Sequence, residues 1–83
     1  MTQREQLRDY ILENYLFTSD ASALDDDASF LERGIIDSTG IMEVIDFLEE
    51  RFGVQVRDEE MVPENLDSVN RICRFLERKR AAA

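Results

Sequence analysis

Apolar residues along this chain fall into three stripes at helical spacing, with one long aperiodic stretch between the first and the second. Thr2 with Glu5 three positions later fits a capping box, and Leu7, Tyr10 and Ile11 follow at spacings of three and four before the pattern fades near Leu16. Residues 17–36 keep no period and are rich in Ser, Asp and Ala. A structureless loop of that length is uncommon in a compact domain, so Phe30, Leu31, Ile35 and Ile36 are expected to anchor it, with a turn at Gly34. The second stripe is the clearest: Ile41, Val44, Ile45, Leu48 and Phe52 define one buried helix face, and Gly53 supplies the stop. Val54 and Val56 alternate with polar residues, but a single strand has nothing to pair with, which predicts extended loop. Pro63-Glu64-Asn65-Leu66 suits one short turn of helix with Pro at its first position. Asp67 is expected to cap a last helix with the stripe Val69, Ile72, Cys73 and Leu76. Its outer side carries Arg71, Arg74, Arg78, Lys79 and Arg80, the last of which suit the negative end of the helix dipole, and residues 81–83 are expected to fray. The pattern predicts an all-α fold: a small four-helix bundle of three longer helices and one short one, with a long loop between helices 1 and 2. It is expected to form a single domain over residues 1–83, without repeats or linker.

Composition narrows the function classes. Eighty-three residues build one modest core, which argues against an enzyme with its own deep cleft. With 19 acidic and 10 basic residues the net charge is −9, which argues against nucleic acid and anionic membrane surfaces and favours basic protein partners. No apolar run approaches the roughly 20 residues that span a bilayer, and the N-terminal residues are too charged for a signal peptide. A cytoplasmic protein without membrane insertion is expected. Cys73 is the only cysteine, so no internal disulfide can form, and its inward position on the last stripe assigns it to the core. Histidine is absent, which removes Ser-His and Cys-His nucleophile pairs and His-ligated metals. An EF-hand loop starting at Asp25 would need Gly at its sixth position and Glu at its twelfth; Phe30 and Ile36 stand there, so no metal site is expected. The runs Asp25-Asp26-Asp27 and Asp58-Glu59-Glu60 are accordingly taken as solvated loop charge. Residues 20–67 hold 15 acidic and 3 basic residues, a net of −12, while the remainder nets +3 from 4 acidic and 7 basic.

That negative field surrounds Asp37-Ser38, directly before the second stripe. Taken alone, the pair is most simply a helix cap; Asp37 could cap without help, which would leave the serine hydroxyl available. At about 100° per residue, Glu43, Asp46 and Glu50 fall in a narrow arc opposite the buried stripe, with Met42 at its border. The strip suits docking of a cationic partner; the same arrangement also describes an ordinary polar helix face.

The stretch Ala28-Ser29-Phe30-Leu31-Glu32, then Gly34-Ile35-Ile36-Asp37-Ser38, then an acidic helix ending Leu48-Glu49-Glu50-Arg51-Phe52-Gly53, resembles the acyl and peptidyl carrier protein family. The likeness continues through Asp58-Glu59-Glu60 into the last helix. It implies that Ser38 receives 4′-phosphopantetheine covalently from coenzyme A, with Asp37 as its companion, and that the terminal thiol of the arm carries an acyl group as a thioester. It also implies that Met42, Glu43, Asp46, Glu49 and Glu50 contact partners: a phosphopantetheinyl transferase, an acyl- or aminoacyl-loading ligase, and downstream acyl-processing enzymes of lipid or specialised-metabolite biosynthesis. A monomeric, non-catalytic acyl carrier is the expectation; an aminoacyl or peptidyl carrier is the near alternative, and an unmodified acidic interaction bundle the distant one. Such a carrier needs a hydroxyl but no base of its own, so the missing histidine is no obstacle. The resemblance departs at Thr39 and Gly40, where the family more often has Leu and then an acidic or small residue; this bears on partner choice. The stretch Val62-Pro63-Glu64-Asn65-Leu66-Asp67-Ser68-Val69 looks more like stand-alone carriers of specialised pathways.

Overall fold

The computed structural model describes residues 2–82 and contains four helices and, among those residues, no strand. Helix α1 spans Gln3–Ile11, α2 Ser38–Phe52, α3 Pro63–Leu66 and α4 Val69–Ala82. Short 3₁₀ turns at Ala21–Ala23 and Asp58–Glu60 punctuate the connections. At the start of α1, Thr2 Oγ1 accepts from the Glu5 amide at 3.1 Å and donates to the Glu5 carboxylate, also at 3.1 Å. Glu5 thus answers the hydroxyl rather than the Thr2 amide, which makes half of the expected capping box. Leu7 and Ile11 are fully buried, while Tyr10 lies against the core from the edge. Beyond Ile11 the helix widens into a five-residue π turn, Leu12–Leu16, and stops at Phe17, whose φ of 53° is left-handed. The amides of Phe17 and Thr18 both reach the Leu12 carbonyl.

The connection over residues 17–36 is pinned through Asp26 and Asp27, contrary to the expectation of solvated charge, while Asp25 stays exposed. Asp26 accepts from Arg4 at 3.0 Å and also from Arg8, and Arg8 donates further to the Leu24 carbonyl at 2.8 Å. Asn70, at the start of α4, donates its amide to the Asp26 carbonyl at 3.0 Å and its side chain to Asp27 at 2.6 Å. Two guanidiniums on α1 and a helix N-terminus lie where the run passes, so the carboxylates find partners better than water. In the second acidic run Glu60 behaves likewise, accepting from Lys79 Nζ at 2.8 Å and the Arg57 amide at 3.0 Å, while Asp58 and Glu59 stay exposed.

Phe30 and Ile36 anchor the loop in the core and Ile35 packs at its margin, but Leu31 is 45% exposed. The Ile35 and Ile36 amides both bond the Phe30 carbonyl, at 2.9 and 3.3 Å, with Gly34 at φ +66° closing this tight turn, and Leu31 faces outward. Asp67 does not cap α4. Ser68, one residue nearer, does so, its Oγ accepting from the Arg71 amide at 3.1 Å. The buried Asp67 instead accepts from the Leu31 amide at 3.0 Å and from Ser29 Oγ, while its carbonyl takes the Phe30 amide at 2.9 Å. One residue thereby staples the long loop to the junction of α3 and α4.

Val44, Ile45 and Leu48 of α2 are buried, and Ile41 and Phe52 flank them partly exposed. Gly53 closes the helix at φ +66°, its amide on the Glu49 carbonyl. Val56 tucks into the core from an extended segment, and α4 adds Val69, Ile72, Cys73, Phe75 and Leu76. Phe75 extends the buried face beyond the expected stripe. Burial pushes the Cys73 thiol above its usual value, in keeping with a core role. Residues 81 and 82 continue α4; Ala83 lies outside the described residues. Among the described residues no helix is long and apolar enough to cross a membrane.

Candidate functional site

The tight turn at residues 30–36 delivers the chain to α2 in extended form, with Asp37 at φ −88° and ψ −179°. From there Asp37 Oδ1 accepts from the Gly40 amide at 2.7 Å and its carbonyl takes the Ile41 amide at 3.0 Å, so the aspartate alone caps the helix. Ser38 follows as the first helical residue and is exposed. Among the described residues its Oγ makes no hydrogen bond, and the amides of Ser38 and Thr39 have no acceptor. A free hydroxyl therefore stands beside two unsatisfied N–H groups at the positive end of a 15-residue helix. An esterified phosphate suits that position.

Ser38 also lines a pocket of about 230 Å³ between α2 and the segment leading through α3. Leu31, Ile41, Met42, Ile45, Met61, Val62, Pro63, Leu66 and Asp67 complete its wall. The outward-facing Leu31 and Met42, 45% and 52% exposed, are thus not stray surface residues; they border an apolar depression that includes the serine. Sequence reasoning named Met42 but missed the contribution of Leu31, Met61 and Val62. An apolar pair just before a helix-starting proline was the available signal.

Glu43, Asp46 and Glu50 are exposed along α2, as is Met42. Glu49 differs: it is half-buried, and its Oε2 accepts the Val56 amide at 3.0 Å, holding the extended segment after α2. Phe47 turns toward α1 and stacks on Tyr10 with ring centres 4.0 Å apart.

The sequence matches the family model described as phosphopantetheine attachment site over residues 5–76. No curated protein matches it. Among solved structures, a holo acyl carrier protein from Nitrosomonas europaea, determined in solution by NMR, shares the fold at a TM-score of 0.77 and 23% identity, covering 98% of this chain and 99% of that one. The family match runs from within α1 to within α4 and includes the turn with the free hydroxyl, and the helix N-terminus there fits a phosphodiester. The chain belongs to the phosphopantetheine attachment site family, that of the acyl carrier proteins, whose cofactor is a covalently attached 4′-phosphopantetheine.

Proposed function

We propose that Ser38 is the attachment point of the 4′-phosphopantetheine arm and that this chain carries acyl groups between partner enzymes. The observation that carries the reading is the division of labour at the start of α2: Asp37 makes the capping bond, and the exposed Ser38 hydroxyl makes none. In the transfer, Ser38 Oγ forms a bond to the coenzyme A phosphorus that bears pantetheine. The diphosphate P–O bond breaks and 3′,5′-adenosine bisphosphate leaves. The serine proton passes to a base on the transferase. The phosphodiester so formed is an anion beside the Ser38 and Thr39 amides, where the helix dipole favours it. Bound there, the arm supplies a terminal thiol that holds an acyl group as a thioester.

The apolar pocket next to Ser38 supports an acyl cargo over an aminoacyl one. A transferase, a loading ligase and acyl-processing enzymes approach along α2 and contact Met42, Glu43, Asp46 and Glu50. Glu49 adds charge to the same strip while holding Val56. The chain acts in this reading as a single monomeric carrier domain over residues 1–83, in the cytoplasm, in lipid or specialised-metabolite assembly. Incubation with coenzyme A and a broad-specificity phosphopantetheinyl transferase should add the mass of one arm, mapped to Ser38 by peptide sequencing. Ser38→Ala should stay unmodified. Modification elsewhere, or of the variant, refutes the assignment.

A further inference from the structure

Among the described residues the Ser38 hydroxyl makes no hydrogen bond, so its direction is set by the turn in which it sits. Gly40, two residues on, is where that turn is gripped. Its amide is held by Asp37 Oδ1 at 2.7 Å, and its carbonyl accepts from the Tyr15 hydroxyl at 3.2 Å. Gly40 is buried, and a Cβ added there would stand 2.7 Å from Ile36 Cγ2 and 3.2 Å from Tyr15 Cε1. A glycine inside a helix is normally unfavourable; here the missing side chain lets the turn seat against α1 and the preceding loop. Tyr15 belongs to the widened turn that ends α1. Its neighbour Tyr10 lies edge-on at 6.0 Å and directs its hydroxyl to the Glu43 carbonyl at 3.5 Å, one turn further along α2. Two hydroxyl-to-carbonyl contacts a turn apart resist rotation of α2 about its axis, which one alone would permit.

We propose that Tyr15 and Gly40 are positioning residues for Ser38, locking the first turn of α2 onto the end of α1 so that the hydroxyl is presented in one direction. This rests on the reading of Ser38 as the attachment site. Burial pushes the Tyr15 hydroxyl above its usual value, so it remains a donor throughout the neutral range. Neither residue belongs to the exposed strip of α2, so partner docking does not require them. Loosening the turn should therefore slow the transfer step without weakening the encounter.

The test is transferase kinetics with coenzyme A, varying the concentration of the carrier. Tyr15→Phe keeps the ring and removes one neutral hydrogen bond; kcat should fall about 2–10-fold with KM unchanged. Ile72→Val, which trims the core from α4, serves as a control of mild destabilisation and should leave kcat alone. Gly40→Ala should lower kcat further, and adding Ile36→Leu, which removes the offending Cγ2 at similar volume, should restore part of it. A wild-type kcat in Tyr15→Phe, or a loss that Ile72→Val reproduces, overturns the inference while Ser38 remains the attachment site. Absence of modification at Ser38 in the wild-type protein overturns both readings.

Discussion

The Asp37 carboxylate lies 2.7 Å from the Gly40 amide, so the bond that stabilises the start of α2 does not involve the serine beside it. The two neighbouring residues should then respond differently to truncation. Asp37→Ala removes a true cap and should cost about 0.5–2 kcal/mol. Ser38→Ala removes an exposed, unbonded hydroxyl and should stay within about 0.5 kcal/mol of wild type. Urea unfolding of both variants checks this, and equal losses would mean that Ser38 shares the capping. By the same separation, a group placed on the serine would leave the capping bond in place.

At the scale of elements, the long connection between α1 and α2 is held by side chains far from it in sequence. Arg8 has only 17% of its side chain exposed and meets Asp26 across 18 positions; Asp67 meets Leu31 across 36. These contacts tie the connection to α1 and to the junction of α3 and α4, so the tight turn before Asp37 reaches α2 in a fixed direction. Asp26→Ala leaves the largely buried Arg8 guanidinium without its carboxylate and should cost about 1–3 kcal/mol. Hydrogen exchange should then quicken for amides over residues 21–30 while those of α2 remain protected. Uniform loss of protection would show that the loop is not a separate unit from the helices.

Over the whole molecule, charge is divided between a strongly negative middle and a weakly positive remainder, −12 over residues 20–67 against +3 elsewhere. Exposed charges contribute little to the fold, so Glu43→Lys with Asp46→Lys should change stability by no more than about 0–1 kcal/mol. They act on encounter and partner choice instead. The double variant should slow modification of Ser38, chiefly through KM, and added salt should weaken the wild-type reaction in the same direction. Transferase kinetics at two ionic strengths decide it; identical behaviour of both forms would reduce the strip to a solvated face. A second charge effect ties the segment after α2 to α4. The hydrogen bond from Lys79 and then that from the Arg57 amide hold the Glu60 carboxyl below its usual value. A lowered folded value gives stability above the ordinary carboxylate range that is lost as pH falls through the lowered one. Glu60→Gln should accordingly be less stable than wild type at neutral pH, with the gap closing in acid, as thermal melts across pH would register.

The sequence by itself determined the helices α1, α2 and α4, the short α3 and most of their buried faces. Helical periodicity and turn chemistry are local properties, written within a few residues of where they act. It also gave the family, because the Asp37-Ser38 pair and its flanking motifs are contiguous. What the local pattern could not hold is which distant residues meet. Tyr15 bonds Gly40 across 25 positions, and Asp26, Asp67 and Glu60, each read from sequence as loop charge or a cap, became staples between elements. Leu31 passed from expected anchor to pocket wall for the same reason. These roles arise only when the helices close on one another, because a carboxylate or a leucine takes the environment that folding brings to it.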